Sequence, residues 1–450
     1  MMPVSHHHSH MGGSTPRRQY SSWSVGGLLL IAYYLVIFIN NIFIKTKIGQ
    51  SSYVDETFAV IILICSLPGI TRFPRDTIIV LFLFGTYISL SFISAYFNGL
   101  SNYPRLQAAS IGVILDAKII AVMLGFLYLF RRHSGADSHR AFLTVLVGLA
   151  LINSVFVLRD LMSGGISLYG HQLFVRAGQY QPMGLFHHHM MSANFSVFGA
   201  IAAGSLFVGR KKTGMGLAWI WLTVIAIAHL GAKEIIAVGF AGAFLALHMT
   251  PRNTYSRWLV KAVVVFLLFM AGLAFLVLLG PILANRFDLY FGGQDMGRAV
   301  RTLLYMRSWD IAEAYFPLGS GAGTFVSQPS RTLFFSPIYD IFGLSFAYGG
   351  SRNDSRFLMD AFWPKVLGES GFFGLISYIS MYMFFMVRAY RNLRDGMDHM
   401  TLFSFLILVQ TAIVSLASAT LTNELFVPLI GSIFAFTIIR HAANRHGAIR

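Results

Sequence analysis

The class of this chain is decided by one run, Thr77-Ile-Ile-Val-Leu-Phe-Leu-Phe-Gly-Thr-Tyr-Ile-Ser-Leu-Ser-Phe-Ile-Ser-Ala-Tyr-Phe97. The run contains no charged side chain and is long enough for a membrane-spanning helix, which takes about 20 residues. Of the 450 residues of the chain, 56% are hydrophobic and only 12% are charged, whereas soluble domains are about one quarter charged. This composition excludes a soluble enzyme, a secreted disulfide scaffold and a disordered protein, and it predicts a multi-pass membrane protein.

Similar runs recur along the chain and predict an all-α polytopic membrane protein with about twelve transmembrane helices. The runs are Gly26–Phe43, Phe58–Ile70, Thr77–Phe97, Ala109–Phe130, Ala141–Leu158, Met190–Val208, Gly216–Leu230, Ile235–His248, Leu259–Leu283, Gly371–Val387, Thr401–Ala419 and Phe426–Ile439. We expect one transmembrane domain over residues 23–440. Residues 1–22 would form a cytoplasmic tail or an artificial extension of the natural chain. Residues 441–450 would form a second cytoplasmic tail.

Basic residues give the chain a formal net charge of +16 and fall in short clusters on alternate loops. The clusters are Arg17–Arg18, Arg72 with Arg75, Arg131–Arg132 with Arg140, Arg210–Lys211–Lys212, Arg252 with Arg257, Arg388 with Arg391 and Arg394, and Arg440 with Arg445. Such clusters mark cytoplasmic loops, so both termini are predicted to be cytoplasmic. Their separation by apolar runs argues against a nucleic-acid partner.

Two long loops are then external, at residues 159–189 and 284–370, and the larger one lies between predicted helices 9 and 10. Arg298, Arg301 and Arg307 recur near helical spacing in the larger loop, so two or three guanidinium groups could share one helix face. One guanidinium group can donate two parallel hydrogen bonds to the oxygen atoms of a phosphate, which suits the binding of a diphosphate at the membrane surface. A solvated basic helix touching lipid headgroups is the alternative interpretation.

The segment after these arginines reads Phe316-Pro-Leu-Gly-Ser-Gly-Ala-Gly323. Pro317 is expected to end the helix. The three glycines would let a turn approach a ligand closely.

Other charged residues lie near predicted helix ends. Lys233 and Glu234 form a charged tip between two short runs, where the cation could face a lipid diphosphate or where the two charges could form a solvated turn. Arg176 opens a polar segment in the smaller external loop. His187 to His189 cannot all point one way on a helix, so a three-histidine metal site is not expected. His187 could instead line a polar cavity.

The larger loop ends in polar residues that could serve as a base or contact a glycan: Arg352, Asp354, Asp360 and Glu369. Asp360 has the chemistry of a general base for a sugar hydroxyl, or of an ion-pair partner for the nearby arginines. Asp116 and Lys118 lie inside the fourth run, where charges are expensive and need a partner or a cavity. Because they are two residues apart, they point to different sides of a helix and are not expected to pair with each other.

Several common motifs are missing from the sequence. It holds no Asp-X-Asp pair, no Walker loop and no Gly-X-Ser-X-Gly elbow. The single cysteine, Cys65, lies in an apolar run and leaves no intramolecular disulfide. We therefore expect no metal and no cofactor, and transferase chemistry would depend on arginines.

Some of these residues resemble a known family. The segment from Arg307 through Gly323-Thr-Phe325, followed by Leu367-Gly-Glu-Ser-Gly-Phe-Phe-Gly374, resembles the C-terminal signature of the O-antigen polymerase and O-antigen ligase superfamily. Gly184-Leu-Phe with Asn194 after a long external loop, and the charged tip between short helices, are similar to the family pattern too. The resemblance covers most of the chain in layout but only these stretches in sequence.

The resemblance implies a metal-independent glycosyltransferase of GT-C-like fold in the bacterial inner membrane. Its donor would be an undecaprenyl-diphosphate-linked oligosaccharide within the membrane lipid, and a chain-length regulator would be a candidate partner. The nearest matches to the arginines that hold the diphosphate in the family are Arg176, Arg298, Arg301 and Arg307. Lys233 stands where the family usually has arginine, so the charge is kept but the guanidinium fork is lost.

One position separates the subfamilies. Ligases that resemble this chain carry a histidine nine residues before the glutamate that matches Glu369, whereas this chain has Asp360 there. An aspartate at this position resembles the polymerases of the family. The resemblance then implies that Asp360 is the base and that Arg307 stabilises the departing diphosphate. The function predicted is therefore a polymerase for O-antigen or exopolysaccharide. The alternatives are a ligase that transfers the glycan to lipid A-core and a flippase for lipid-linked oligosaccharides.

Overall fold

The structure is a computed structural model of the chain. It describes residues 25–45, 54–66, 74–100, 103–132, 136–168, 170, 172–173, 175–176, 179–186, 188–210, 212–249, 300–347, 349–355, 357–359 and 361–447.

Helices account for most of the described residues. They are α1 Val25–Lys45, α2 Val54–Ser66, α3 Arg75–Phe97, α4 Arg105–Arg132, α5 Ala136–Met162, α6 His189–Arg210, α7 Thr213–Ala228, α8 Ala232–Met249, α9 Val300–Ala314, α10 Ile338–Ile341, α11 Phe362–Asp395, α12 His399–Ser415 and α13 Val427–Gly447. Two short strands, β1 Val175–Arg176 and β2 Gln179–Tyr180, pair antiparallel between α5 and α6. A π-helical turn covers Pro329–Leu333 and a 3₁₀ turn covers Thr420–Thr422.

The prediction of an all-α multi-pass membrane protein is confirmed. Within the described ranges, five helices are long and apolar enough to cross a membrane, and five shorter apolar helices accompany them. The long ones contain Arg75–Phe97, Arg105–Phe130, Asp137–Met162, His189–Val208 and Phe362–Asp395. Each predicted apolar run overlaps one helix except Leu259–Leu283, which lies outside the described residues.

The helices form one bundle around a large apolar core. Helix α4 packs against α13, α3 packs against α11, and α6 contacts both α5 and α7. Bulky side chains such as Phe126, Phe198 and Phe403 are fully buried in this core. The outer faces carry exposed apolar side chains such as Phe82, at 71% exposure, which suits contact with lipid tails. Residues 300–359 cover one end of the bundle, which we call the loop end.

Helix α11 is broken at Gly371, whose φ of 63° and ψ of −167° are not helical. The predicted run Gly371–Val387 therefore matches only the second part of this helix. The first part, Phe362–Ser370, falls in the predicted external loop 284–370 and carries Lys365 and Glu369. Both side chains are buried against other protein groups. Because they do not face lipid, this polar segment can belong to the same helix as the apolar run that follows it.

The glycine-rich segment after α9 fills the space beside this break. Helix α9 ends at Ala314, shortly before Pro317 as expected. Backbone N–H groups of Ser320 and Gly321 donate to the carbonyls of Gly368 and Glu369, at 2.8 and 2.9 Å. These donors satisfy carbonyls that the broken helix leaves without helical partners. The glycines thus approach protein backbone, where a ligand was expected.

Candidate functional site

A polar cavity of about 240 Å³ opens at the loop end between helix α6 and the segment that joins α12 to α13. Its lining residues are His188, Met190, Met191, Asn194, Met359, Ala417, Ser418, Ala419, Thr420, Asn423, Leu425 and Phe426. We call it the main cavity.

Two buried oxygen atoms of the main-cavity residues have no hydrogen-bond partner within the described part of the chain: Asn194 Oδ1 and Thr420 Oγ1. Asn194 is 3% exposed and Thr420 is 1% exposed. The Asn194 amide is fixed by its Nδ2 atom, which donates to the Met190 carbonyl at 2.8 Å. A buried acceptor without a donor costs roughly 1–3 kcal/mol, and both of these atoms belong to residues that line the main cavity.

Lys233 lies beside the main cavity at the start of α8. Its ammonium group donates to the hydroxyl of Ser418 and, at 3.1 Å, to the carbonyl of Ala417. The Glu234 carboxylate is 3.8 Å away and is itself buried, with Asn194 Nδ2 donating to it at 3.4 Å. Lys233 and Glu234 are therefore bonded to residues of the cavity wall. The interpretation of this pair as a solvated Lys–Glu turn is wrong, because both side chains are largely buried.

A second, smaller cavity of about 60 Å³ lies next to the main one. Met359, which directly precedes Asp360, lines both cavities. The other lining residues of this small cavity are Gly112, Leu115, Lys118, Val326, Ser327, Gln328, Lys365 and Thr422. Two lysines, Lys118 of α4 and Lys365 of α11, thus line this cavity.

Both intramembrane charges of α4 have partners on other helices. Lys365 donates to Asp116, whose second oxygen accepts from the Tyr87 hydroxyl at 2.8 Å. Lys118 pairs with Glu56 of α2 at 2.8 Å. The prediction that Asp116 and Lys118 do not pair with each other is confirmed. Asp116 lies 11 residues after the start of α4 at Arg105, or about 17 Å along the helix.

Two further carboxyl groups complete this set of charges. Glu369 is fully buried, with Oε1 accepting from the Phe325 N–H at 3.1 Å and Oε2 4.0 Å from Lys365 Nζ. Glu424 lies in the segment before α13. Burial, together with the charge of Glu56, raises the pKa of the Glu424 carboxyl group, and Lys118 offsets part of that effect.

The loop before α6 is held against α5 by polar anchors. Asp160 is fully buried and accepts from the backbone N–H groups of Met183 and Gly184, at 3.0 and 2.9 Å. Asn153 Oδ1 accepts from the Leu185 N–H at 3.0 Å. Gly184 has a φ of +55°, and a Cβ there would lie 2.4 Å from Asn153 Oδ1. These contacts explain the Gly184-Leu-Phe stretch as an anchor that leads into the cavity residues of α6.

The predicted diphosphate ligands fall in several places. Arg307 of α9 pairs with Asp310 at 2.8 Å and is half-exposed. Arg301 and Arg307 are six residues apart in one helix, which places them about 120° apart around its axis; that two or three of the arginines share one face stays a prediction. The side chains of Arg176 and Arg301, and all of Arg298, lie outside what the structure describes.

Of the remaining predicted site residues, two lie outside the described residues and two are described. Asp360 and His187 lie outside the described residues. Arg352 is exposed, with its guanidinium 5.3 Å from the centre of the Phe335 ring. The backbone N–H of Asp354 donates to the Ser351 hydroxyl at 3.1 Å.

Sequence reasoning missed Lys365, Glu56, Tyr87 and Glu424 as partners of the intramembrane charges. The available signal was the cost of an unpaired charge in a membrane, which says that Asp116 and Lys118 need partners but not which ones. Sequence reasoning also missed Thr420 and Asn423, since polar residues in a short connection carry no distinctive pattern.

No protein-family model matches this chain, and no curated protein matches it.

Proposed function

We propose that this protein is a metal-independent membrane glycosyltransferase that polymerises O-antigen or exopolysaccharide repeat units. The growing glycan on undecaprenyl diphosphate would be the donor, and the sugar end of an incoming lipid-linked unit would be the acceptor. The observation that carries this proposal is the main cavity at the loop end, with its unsatisfied oxygen atoms on Asn194 and Thr420.

The chemistry of the main cavity suits sugar hydroxyl groups. Asn194 Oδ1 accepts, and the Thr420 hydroxyl both donates and accepts, so each can bond to an alcohol. The volume of about 240 Å³ is below the roughly 300–1,000 Å³ of pockets for drug-sized ligands. That size supports the binding of a short sugar end, with the rest of the lipid-linked chain outside.

The proposed chemistry needs a base and a group that stabilises the leaving diphosphate. Asp360 would take the proton of the acceptor hydroxyl, and Met359 lines both cavities one residue before it. Arg307, with Arg176, Arg298 and Arg301, would stabilise the negative charge that develops on the diphosphate. Lys233 would add a positive charge at the border of the main cavity.

The test is a polymerisation assay with purified protein in detergent and EDTA. The substrate is the undecaprenyl-diphosphate repeat unit of the host, and products are separated on a gel. We expect a ladder of regularly spaced glycans from the wild-type protein and none from Arg307→Ala or Asp360→Asn. Arg394→Ala is the matched control, because Arg394 is an exposed arginine at the far end of α11.

Other outcomes would redirect the proposal. A full ladder from Arg307→Ala would remove that residue from the mechanism. Consumption of the substrate only when lipid A-core is added would indicate a ligase. Inertness in both assays, with transport of the lipid-linked unit across vesicle membranes, would indicate a flippase.

A further inference from the structure

Among the described residues that interact with the two lysines of the small cavity, carboxyl groups outnumber ammonium groups. The groups are Lys118 and Lys365 on one side and Glu56, Asp116, Glu369 and Glu424 on the other. Two of the carboxylates are matched in direct ion pairs, which leaves Glu369 and Glu424 in excess. If every group were ionised, the set would carry two uncompensated negative charges inside a membrane protein. Such charges are expensive to bury without a counter-charge.

Glu369 is the more enclosed of the two excess carboxyl groups, with 0% exposure. Its Oε1 atom accepts one backbone hydrogen bond, from Phe325. Its Oε2 atom has no hydrogen-bond partner among the residues that the structure describes. Lys365, the nearest cation, donates to Asp116 and lies 4.0 Å from Oε2. An ionised carboxylate offers about four acceptor sites, and among the described residues only the Phe325 N–H and the Ser327 side chain supply donors to it.

We propose that Glu369 is held as a neutral carboxylic acid with its proton on Oε2. Oε1 then accepts from Phe325 as the carbonyl oxygen of the acid. Lys365 is left with Asp116 as its one ionised partner on these two helices. One of the two excess negative charges near Lys118 and Lys365 is then removed without a bound cation.

The titratable and polar groups that act on Glu369 come from α3, α4, α10 and α11, from the residues just before α4 and from the segment after Phe325. They are Tyr87, Tyr103, Asp116, Ser327, Tyr339 and Lys365. One step further out, Lys118 acts on Lys365 and Tyr378 acts on Asp116. The carboxylate of Asp116 opposes a second negative charge nearby, and the ammonium of Lys365 favours one. The ammonium of Lys365 donates a hydrogen bond to Asp116 and is therefore less available to stabilise a negative charge on Glu369. The proton accordingly stays on Glu369.

This assignment has a consequence for the ligand. With Glu369 neutral and each lysine matched by one carboxylate, the wall of the small cavity carries balanced charge and suits an uncharged polar group. Under the proposed function, the small cavity would therefore take sugar hydroxyl groups, and the diphosphate would bind elsewhere. This consequence rests on the proposed function, whereas the protonation of Glu369 does not.

Infrared spectroscopy of the full-length protein in lipid nanodiscs tests the assignment without any substrate. Protonated carboxyl groups absorb at a higher frequency than carboxylates, and labelling of glutamate with ¹³C separates glutamate from aspartate. At pH 7 we expect a protonated glutamate band in the wild type that is lost in Glu369→Gln. Loss of a carboxylate band in place of the protonated band would overturn the proposal.

A matched pair of variants gives a second, independent measurement. Gln has the shape of a neutral glutamic acid, so Glu369→Gln should keep the thermal unfolding midpoint of the wild type. Asp116→Asn removes an ionised partner and leaves Lys365 buried without it, so its midpoint should fall by several degrees. If Glu369→Gln unfolds as readily as Asp116→Asn, or fails to fold, Glu369 is ionised and the proposal is wrong. Neither measurement depends on the protein being a polymerase.

Discussion

Lys233 joins two parts of the main cavity wall by a single charged group. Its ammonium donates to Ser418 and Ala417 in the segment after α12, and its neighbour Glu234 accepts from Asn194 of α6. The side chain therefore supplies both a positive charge and a mechanical link between α8 and the cavity. The first role needs only a positive charge, whereas the second needs a side chain that can reach Ser418 and Ala417.

Substitution of Lys233 separates charge from shape. Lys233→Met removes the charge and both hydrogen bonds, and we expect polymer yield to fall by about tenfold or more, since tenfold corresponds to about 1.4 kcal/mol. Lys233→Arg keeps the charge and should retain most of the product. The measurement is the amount of polymer per folded protein, with Lys212→Met as control because Lys212 is an exposed lysine at the opposite end of α7. Equal loss from Met and Arg would show that the link to Ser418, and not the charge, is what matters.

Asp160 gives a prediction on stability. Its buried carboxylate accepts from the N–H groups of Leu168, Met183 and Gly184. Asp160→Asn replaces one carboxylate oxygen by a donor, which faces backbone N–H groups that are donors too. We expect a loss of about 1–3 kcal/mol in the free energy of unfolding, seen as a lower thermal midpoint. Asp340→Asn is the control, because Asp340 is an exposed residue; an equal change in both would contradict the anchoring role.

At the residue scale, sequence reasoning was limited by long-range packing. The two-residue spacing of Asp116 and Lys118 was enough to predict that they do not pair with each other. Lys365, the true partner of Asp116, lies 249 positions away, and its selection depends on how α4 and α11 meet. The same limit applies to Thr420 and Asn423, which become cavity residues only because their segment packs beside α6.

At the scale of elements, the broken helix α11 and the glycine-rich segment form one unit. Gly319, Gly321 and Gly323 all have positive φ, at 77°, 99° and 76°. Their backbones touch α11, α3 and α4, where side chains would not fit. The unit fixes Glu369 beside Phe325, and it thereby links the loop end to the buried charges.

Gly321 tests the packing of this unit. A Cβ at Gly321 would lie 2.3 Å from the Cα of Ala95, in addition to the strain of its φ. We expect Gly321→Ala to lower the free energy of unfolding by more than about 3 kcal/mol, or to prevent folding. Gly343→Ala is the matched control, because Gly343 has a φ of +72° but open space around it. It should lose only the backbone strain, about 1–2 kcal/mol.

Thermal unfolding in detergent measures both variants. Equal destabilisation of Gly321→Ala and Gly343→Ala would mean that the close approach to α3 contributes nothing. The sequence did identify this segment as one where backbone comes close to another group. It could not say that the other group is protein, since the break in α11 and the carbonyls it exposes are tertiary features.

At the scale of the whole molecule, the two ends of the bundle have different chemistry. The loop end holds both cavities and Lys233. The far end is held by ion pairs, among them the largely buried pair of Arg388 with Asp76 at 3.0 Å and the half-exposed pair of Arg440 with Asp398 at 3.2 Å. Asp398 also caps α12 by accepting from the N–H groups of Met400 and Thr401. The regular apolar runs made the helices predictable from sequence, because each needs only local hydrophobicity.

The orientation of the bundle remains a prediction, and it follows from the basic clusters at the far end. Arg132 ends α4, Arg210 ends α6 and Arg388 lies near the end of α11, so we expect this end to face the cytoplasm. The single native cysteine, Cys65, allows a direct test in a Cys65→Ser background. Asn353→Cys, in the exposed part of the loop end, should react with a membrane-impermeant maleimide on intact spheroplasts, whereas Arg394→Cys should react only after permeabilisation. The opposite pattern would place the cavities on the cytoplasmic side, where the external sugar acceptor of the proposed polymerase could not reach them.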